Sequence, residues 1–198
     1  MTSYLTRLLR EPVLSTTTLC ELCAGPLDER HGHVVDTADR RLLCTCRPCS
    51  MLFTGSTRGR LRAVPKRYAS IPSPLFSEAQ WDALGIPIGL AFFFENSKTQ
   101  RVIAFYPGPA GATESELPLD AWSELRAREP LLASMQPDVE AVLVYRLNAR
   151  RARSFLVPID CCYELVGLVR SKWTGISGGD EVHEEIDRFF ARITELAQ

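Results

Sequence analysis

Cys20-Glu21-Leu22-Cys23 and Cys44-Thr45-Cys46-Arg47-Pro48-Cys49 are the two stretches that decide how this chain begins to fold. Cys20/Cys23 and Cys46/Cys49 are both C-x-x-C pairs, with 22 residues between them. Two residues between cysteines let both thiolates turn toward one point while neighbouring amides donate to the sulfurs. Two such pairs facing each other supply four soft donors in a tetrahedron, a set that suits zinc or a lone iron. The predicted metal ligands are therefore Cys20, Cys23, Cys46 and Cys49. Cys44 could replace Cys46, or stand by as a spectator; the two-residue spacing favours Cys46. His31 and His33 lie between the pairs and could act as a ligand or support one, but a polar loop explains them and four cysteines already suffice. An iron–sulfur cluster also takes four thiolates, and spacing alone does not reject it.

Outward from the cysteines, the segment is poor in apolar residues. Its predicted strands, His33–Asp36 and Arg41–Cys44, are short, and so little buried surface usually needs a metal to hold it. It resembles the zinc-ribbon and rubredoxin class of knuckles over Cys20–Cys49. Two features depart from that pattern: Ala24 stands where glycine commonly follows the second cysteine, and Pro48 lies inside the second pair. Upstream, Tyr4–Arg10 is predicted as a turn or two of helix.

Downstream, the sequence predicts a metal-binding module over 15–55, a linker over 56–76 and an α+β domain over 77–198. The stretch from Thr54 to Pro74 is broken by Gly55, Gly59, Pro65, Pro72 and Pro74, and carries Arg58, Arg60, Arg62, Lys66 and Arg67, read as a solvated connection. Ser77 is a predicted N-cap for a short helix. Ile88–Phe94 and Arg101–Tyr106 flank a polar tip and form a predicted hairpin, with Pro107–Gly111 breaking the second strand. Leu119–Leu132 has loose helical spacing interrupted by Pro130, and Ala141–Leu147 and Ser154–Ile159 are two further strands. Asp160 is predicted to cap a helix from Cys161 to about Trp173, ended by Gly175 and Gly178-Gly179. Asp180–Leu196 puts Val182, Ile186, Phe189, Phe190, Ile193 and Leu196 on one helix face. The predicted order of the domain is β-β-α-β-β-α-α.

Composition narrows the class of function. The 198 residues are 45% hydrophobic and 24% charged, as in ordinary globular proteins. Net charge is −1, but residues 1–72 carry 11 Lys and Arg against 6 Asp and Glu, and residues 73–198 carry 12 against 18. The halves are thus +5 and −6, too mild a bias to establish nucleic-acid binding. The basic run Arg58–Arg67 has Tyr68 as its lone aromatic neighbour, so base stacking is thinly provided for. Met1–Leu14 lacks the apolar core of a signal peptide, and no apolar run is long enough to span a membrane. The expected location is cytoplasmic, where cysteines are metal ligands or working thiols rather than disulfides.

Catalytic signatures are missing. There is no P-loop, no dinucleotide-binding glycine pattern, no G-x-S-x-G and no H-E-x-x-H, so enzymatic chemistry is not indicated. Cys161-Cys162 at a helix start could gain reactivity from the helix N-terminus, but with no histidine nearby in sequence, packing in the core is the preferred reading. His183, beside Glu184 and Glu185, is read as part of a solvated helix face.

As a whole the chain resembles an uncharacterised bacterial family encoded beside nickel–iron hydrogenase genes. The resemblance rests on Cys20-x-x-Cys23 with Gly25-Pro26, on His31 and His33, and on Cys44-x-Cys46-x-x-Cys49 followed by Leu52-Phe53. It continues through Cys162-Tyr163-Glu164-Leu165-Val166-Gly167 to Trp173, Gly175 and Gly178-Gly179. It implies a role in assembling, maturing or serving a hydrogenase. Three functions follow as expectations: an accessory protein with structural zinc that docks on a partner, a rubredoxin-like iron electron carrier, and a zinc-ribbon nucleic-acid-binding regulator, in that order of preference.

Overall fold

The computed structural model describes residues 18–198, apart from 57–58, 73, 87, 109–110, 117–118, 149–150 and 175–178. The predicted helix Tyr4–Arg10 lies outside these residues, as do Gly175 and Gly178. Within them the protein is mixed α+β with two antiparallel sheets.

The smaller sheet has the order β2-β1-β3. β1 (Gly32–Asp36) and β2 (Arg41–Thr45), over the two short predicted strands, form a hairpin, and β3 (Leu61–Ala63) pairs with the other edge of β1. Between β2 and β3 lies one short helix, α1 (Arg47–Met51), with Cys46 at its N-cap position and Pro48 in its first turn. Proline is tolerated there because the amide it lacks would have no intrahelical partner, which accounts for Pro48 inside the second cysteine pair.

The larger sheet has the order β4-β9-β8-β5-β6-β7. Its strands are β4 (Ala69–Ile71), β5 (Leu90–Asn96), β6 (Arg101–Gly108), β7 (Gly111–Glu116), β8 (Glu140–Asn148) and β9 (Arg151–Pro158). β5 and β8 read as continuous apolar runs because both their faces are covered. Phe92, Phe94, Leu143 and Tyr145 face one core, and Ala91, Phe93, Val142 and Val144 face the other. The first core is closed by α5 (Ile159–Lys172) and α6 (Gly179–Leu196), through Leu165, Val169, Ile186, Phe190 and Ile193. The second is closed by α2 (Glu78–Ala83), α3 (Leu119–Arg128) and α4 (Pro130–Ala133), through Trp81, Trp122, Leu125 and Leu132. The result is three layers, helix–sheet–helix, with Val35 of the small sheet joining the α5–α6 core.

Most predicted elements are present, with instructive differences. Ser77 caps α2 in a reciprocal box with Gln80. Asp160 does not cap α5: Pro158 holds the N-cap position and Asp160 lies inside the first turn, where its carboxylate accepts from the Cys161 amide at 2.8 Å. Pro107 does not end β6. It pairs with Ala112 of β7, past the last β5 partner of that strand at Phe105, so its missing amide leaves no bond on the β5 side unmade. β7 itself, Gly-Ala-Thr-Glu-Ser-Glu, is a polar edge strand without apolar alternation and was absent from the predicted order. Leu196, placed on the apolar face of α6, is 52% exposed.

Residues 56–76 supply strands to both sheets, β3 to the smaller and β4 to the larger. Their arginines are not simply solvated. Arg60 makes a two-nitrogen fork with Asp36 at 2.7–3.0 Å and reaches Asp39. Arg67 forks onto the fully buried Glu140, both bonds 2.8 Å. Arg62 is buried, donating to the Pro137 carbonyl at 2.7 Å and to Asp138 at 3.1 Å. Each guanidinium holds a carboxylate that the sequence leaves tens of residues away.

Candidate metal centre

The first knuckle is a tight turn. The Cys20 amide donates to the Gly25 carbonyl and the Ala24 amide to the Cys20 carbonyl, both at 2.8 Å, and Leu19 bridges Pro26 across its base. Ala24 has φ +58°, the left-handed conformation that a glycine would take without penalty. A side chain there costs about 1–2 kcal/mol, so the turn is kept by its surroundings. Gly25 follows where a Cβ would press within 3.4 Å of the Cys23 sulfur. Against β2, the Glu21 amide donates to the Cys44 carbonyl at 2.9 Å and the Glu21 carboxylate accepts from the Cys44 amide at 2.6 Å. The second knuckle is the start of α1, where the Ser50 amide donates to the Cys46 carbonyl.

These turns bring the Sγ atoms of Cys20, Cys23, Cys46 and Cys49 within 4.8 Å of one another, a group that could hold a metal ion. The Cys23 and Cys46 sulfurs, from opposite knuckles, are 3.7 Å apart. A tetrahedral thiolate centre with metal–sulfur bonds of about 2.3 Å has sulfur–sulfur edges of about 3.8 Å, so the cage fits such an ion. Cys20 is buried, Cys23 exposed, and Cys46 and Cys49 lie between.

The electrostatics of the cage point the same way. Burial acts to raise the Cys20 thiol, but the amides of Cys46, Leu22 and Cys23 donate to its sulfur, and with the Cys23 thiol they bring its pKa down to about 6. The amide of Gly25 works to lower Cys23, yet Cys20 and Cys46 prevail and raise it. Cys46 and Cys23, with burial, push Cys49 up to about 12. One thiolate is stabilised at the expense of its neighbours, and four thiolates can coexist here when a cation balances them.

The other sequence candidates are placed elsewhere. Cys44 lies on β2 and forms a separate group with His31 and His33, their ligand atoms within 4.8 Å of one another. The His31 and His33 rings meet edge to face at 4.9 Å and also line an 870 Å³ cleft with Arg30, Cys46, Arg47 and Lys66. Cys161 and Cys162 are buried in the sheet–helix core. Burial, then Glu164 and Asp160, raise the Cys161 thiol to about 12; burial also holds Cys162 well above the ordinary thiol value. His183 is on α6, its ring against the Gly179 carbonyl at 2.7 Å. Sequence reasoning did not foresee that Asp160 reaches across to His33, Nδ1 to Oδ2 at 2.8 Å, because 127 residues separate them.

Among the described residues no helix is long and apolar enough to cross a membrane. No curated protein and no solved structure matches the chain. Residues 19–197, from the residue before the first knuckle to the residue after α6, match a family of unknown function (DUF5947). The chain belongs to that family.

Proposed function

We propose that Cys20, Cys23, Cys46 and Cys49 hold one structural zinc, and that the protein is an accessory factor docking on a protein partner in hydrogenase assembly or maturation. The single observation that carries the metal part is the 3.7 Å approach of Cys23 and Cys46 from opposite knuckles, which matches a tetrahedral thiolate cage. Four protein donors close the coordination sphere, the arrangement of sites that fold a segment rather than react. Bound zinc would supply the charge that lets the four thiolates coexist.

Docking is supported by the apolar side chains that surround the knuckles. Leu19 and Leu22 stand beside the first pair at 52% and 38% exposure, and Met51 and Leu52 follow the second at 62% and 77%. Large apolar side chains exposed beside both cysteine pairs are what a contact surface would use. The hydrogenase setting rests on the resemblance in the cysteine knuckles and in Cys162–Gly179. A rubredoxin-like iron carrier is the second reading, favoured by the exposure of Cys23, which would leave an iron close to solvent and to that apolar rim.

Elemental analysis with an ultraviolet–visible spectrum of freshly purified, untagged protein decides between them. Zinc and no colour is the expected outcome. Iron with visible bands that bleach on reduction would make the protein an electron carrier, and a metal-free protein would refute both readings.

A further inference from the structure

We propose that His31, His33 and Cys44 form a second metal site, distinct from the four-cysteine centre, that takes one divalent transition metal of the zinc type. It shares no residue with the four-cysteine centre, so it stands or falls independently.

The tripod is built by strand geometry. His33 and Cys44 are direct partners across the antiparallel β1–β2 pair, so their side chains leave the same face of the hairpin. His31 precedes His33 by two residues, the interval that returns a side chain to one face of an extended chain. The three ligand atoms accordingly lie within 4.8 Å of one another.

Hydrogen bonds aim the rings. His31 Nδ1 is 2.9 Å from the Asp28 carbonyl, which only accepts, so Nδ1 carries the proton and Nε2 the lone pair. That Nε2 is buried and has no hydrogen-bond partner. A buried acceptor left unpaired is costly, and coordination would relieve it. His33 Nδ1 donates to Asp160 Oδ2 at 2.8 Å, again leaving Nε2 as the lone-pair nitrogen. A carboxylate or carbonyl behind each imidazole is the support that metal-binding histidines ordinarily have, fixing the tautomer and raising ligand basicity. Asp160, on α5, thus has a task that helix capping does not explain.

Two neutral imidazoles and a thiolate form a borderline-soft donor set suited to zinc. Three protein donors leave a coordination position for water or another small donor. Both histidines line the cleft that also carries Arg30, Arg47 and Lys66, a basic setting for a small anion.

The test is zinc titration of metal-stripped, reduced, full-length protein, with bound zinc counted after desalting and zinc K-edge absorption recorded on the wild type. Two zinc per chain with nitrogen and sulfur in the coordination shell is the expected result, falling to one in His31→Ala/His33→Ala and in Cys44→Ser. One zinc with sulfur alone, no zinc, or variants that keep both zincs would overturn the site. If a variant fails to fold, the wild-type absorption decides: nitrogen in the shell supports the site and sulfur alone refutes it. One zinc held by nitrogen and sulfur together would leave this site standing while the four-cysteine reading fails.

Discussion

At the scale of single residues, the chemistry of the sulfurs is set by what surrounds each of them. The seven cysteines divide into a cage of four, one facing two histidines, and two in the core. Cys161 and Cys162 follow a helix start, where a thiolate would gain from the helix N-terminus, yet burial overrides that gain. A thiol at about 12 leaves about one thiolate in ten thousand at pH 8. Iodoacetamide at pH 8 should therefore leave both unlabelled in the folded protein and label both in urea, as read by peptide mass spectrometry. Labelling of either in the native protein at the rate seen in urea would show that the α5 start opens to solvent. The spacing of Cys20, Cys23, Cys46 and Cys49 was legible in the sequence because knuckle geometry is local. The separate place of Cys44 was not, since it depends on the β1–β2 register. Ala24 shows the same limit: its departure from the glycine pattern was visible, but not that it would keep the glycine conformation.

At the scale of elements, the long periodic segments were legible, as were the short β1, β2 and α2, while the other short strands were not. β5, β8 and α6 carry apolar patterns that sequence alone resolves, while β3 and β4 have three residues each and β7 has no apolar alternation. These short strands are placed by partners. Gly89, just before β5, shows how close the pairing is: a Cβ there would lie 1.9 Å from the Arg146 carbonyl oxygen on β8. The small sheet relies on charge as well. The Arg60 fork, followed by the Ala38 amide, holds the Asp36 carboxyl below its ordinary value. A carboxylate depressed in the folded state contributes stability above its unfolded pKa and loses it as pH falls through the lower folded value. Asp36→Asn should therefore lower the urea midpoint at neutral pH, and the gap to wild type should close as pH falls below about 4, the ordinary range of an aspartate. A gap that persists unchanged in acid would mean that the Asp36 charge contributes nothing.

At the scale of the whole molecule, two sheets of unequal self-sufficiency are joined. The six-stranded sheet is buried on both faces by five helices and needs no metal to account for its core. The three-stranded sheet packs Val35 and Leu42 against that core and is otherwise fastened by polar contacts: the Arg62–Asp138 and Arg40–Glu114 ion pairs and the His33–Asp160 hydrogen bond. The Arg62–Asp138 pair, 4% and 6% exposed, is the most buried of these ties, and removing one partner of a buried pair costs about 3–5 kcal/mol because the other charge is left unpaired. None of these ties was legible in the sequence, where Arg62 read as part of a solvated run. They hold β1 and β3 in place, while the knuckle turns at Cys20–Ala24 and Cys46–Cys49 are held by hydrogen bonds within the turns, by the Glu21–Cys44 bonds onto β2 and by the sulfur cage. Metal loss should therefore act unevenly. Cys49→Ser, followed by amide hydrogen exchange, is expected to release metal and to collapse protection at the two knuckles, over 18–27 and 46–53. The amides of β5, β8 and β9 should keep wild-type protection. Loss of protection in both sheets at once would show that the metal centre holds the entire fold; retention of both metal and protection would remove Cys49 from the cage.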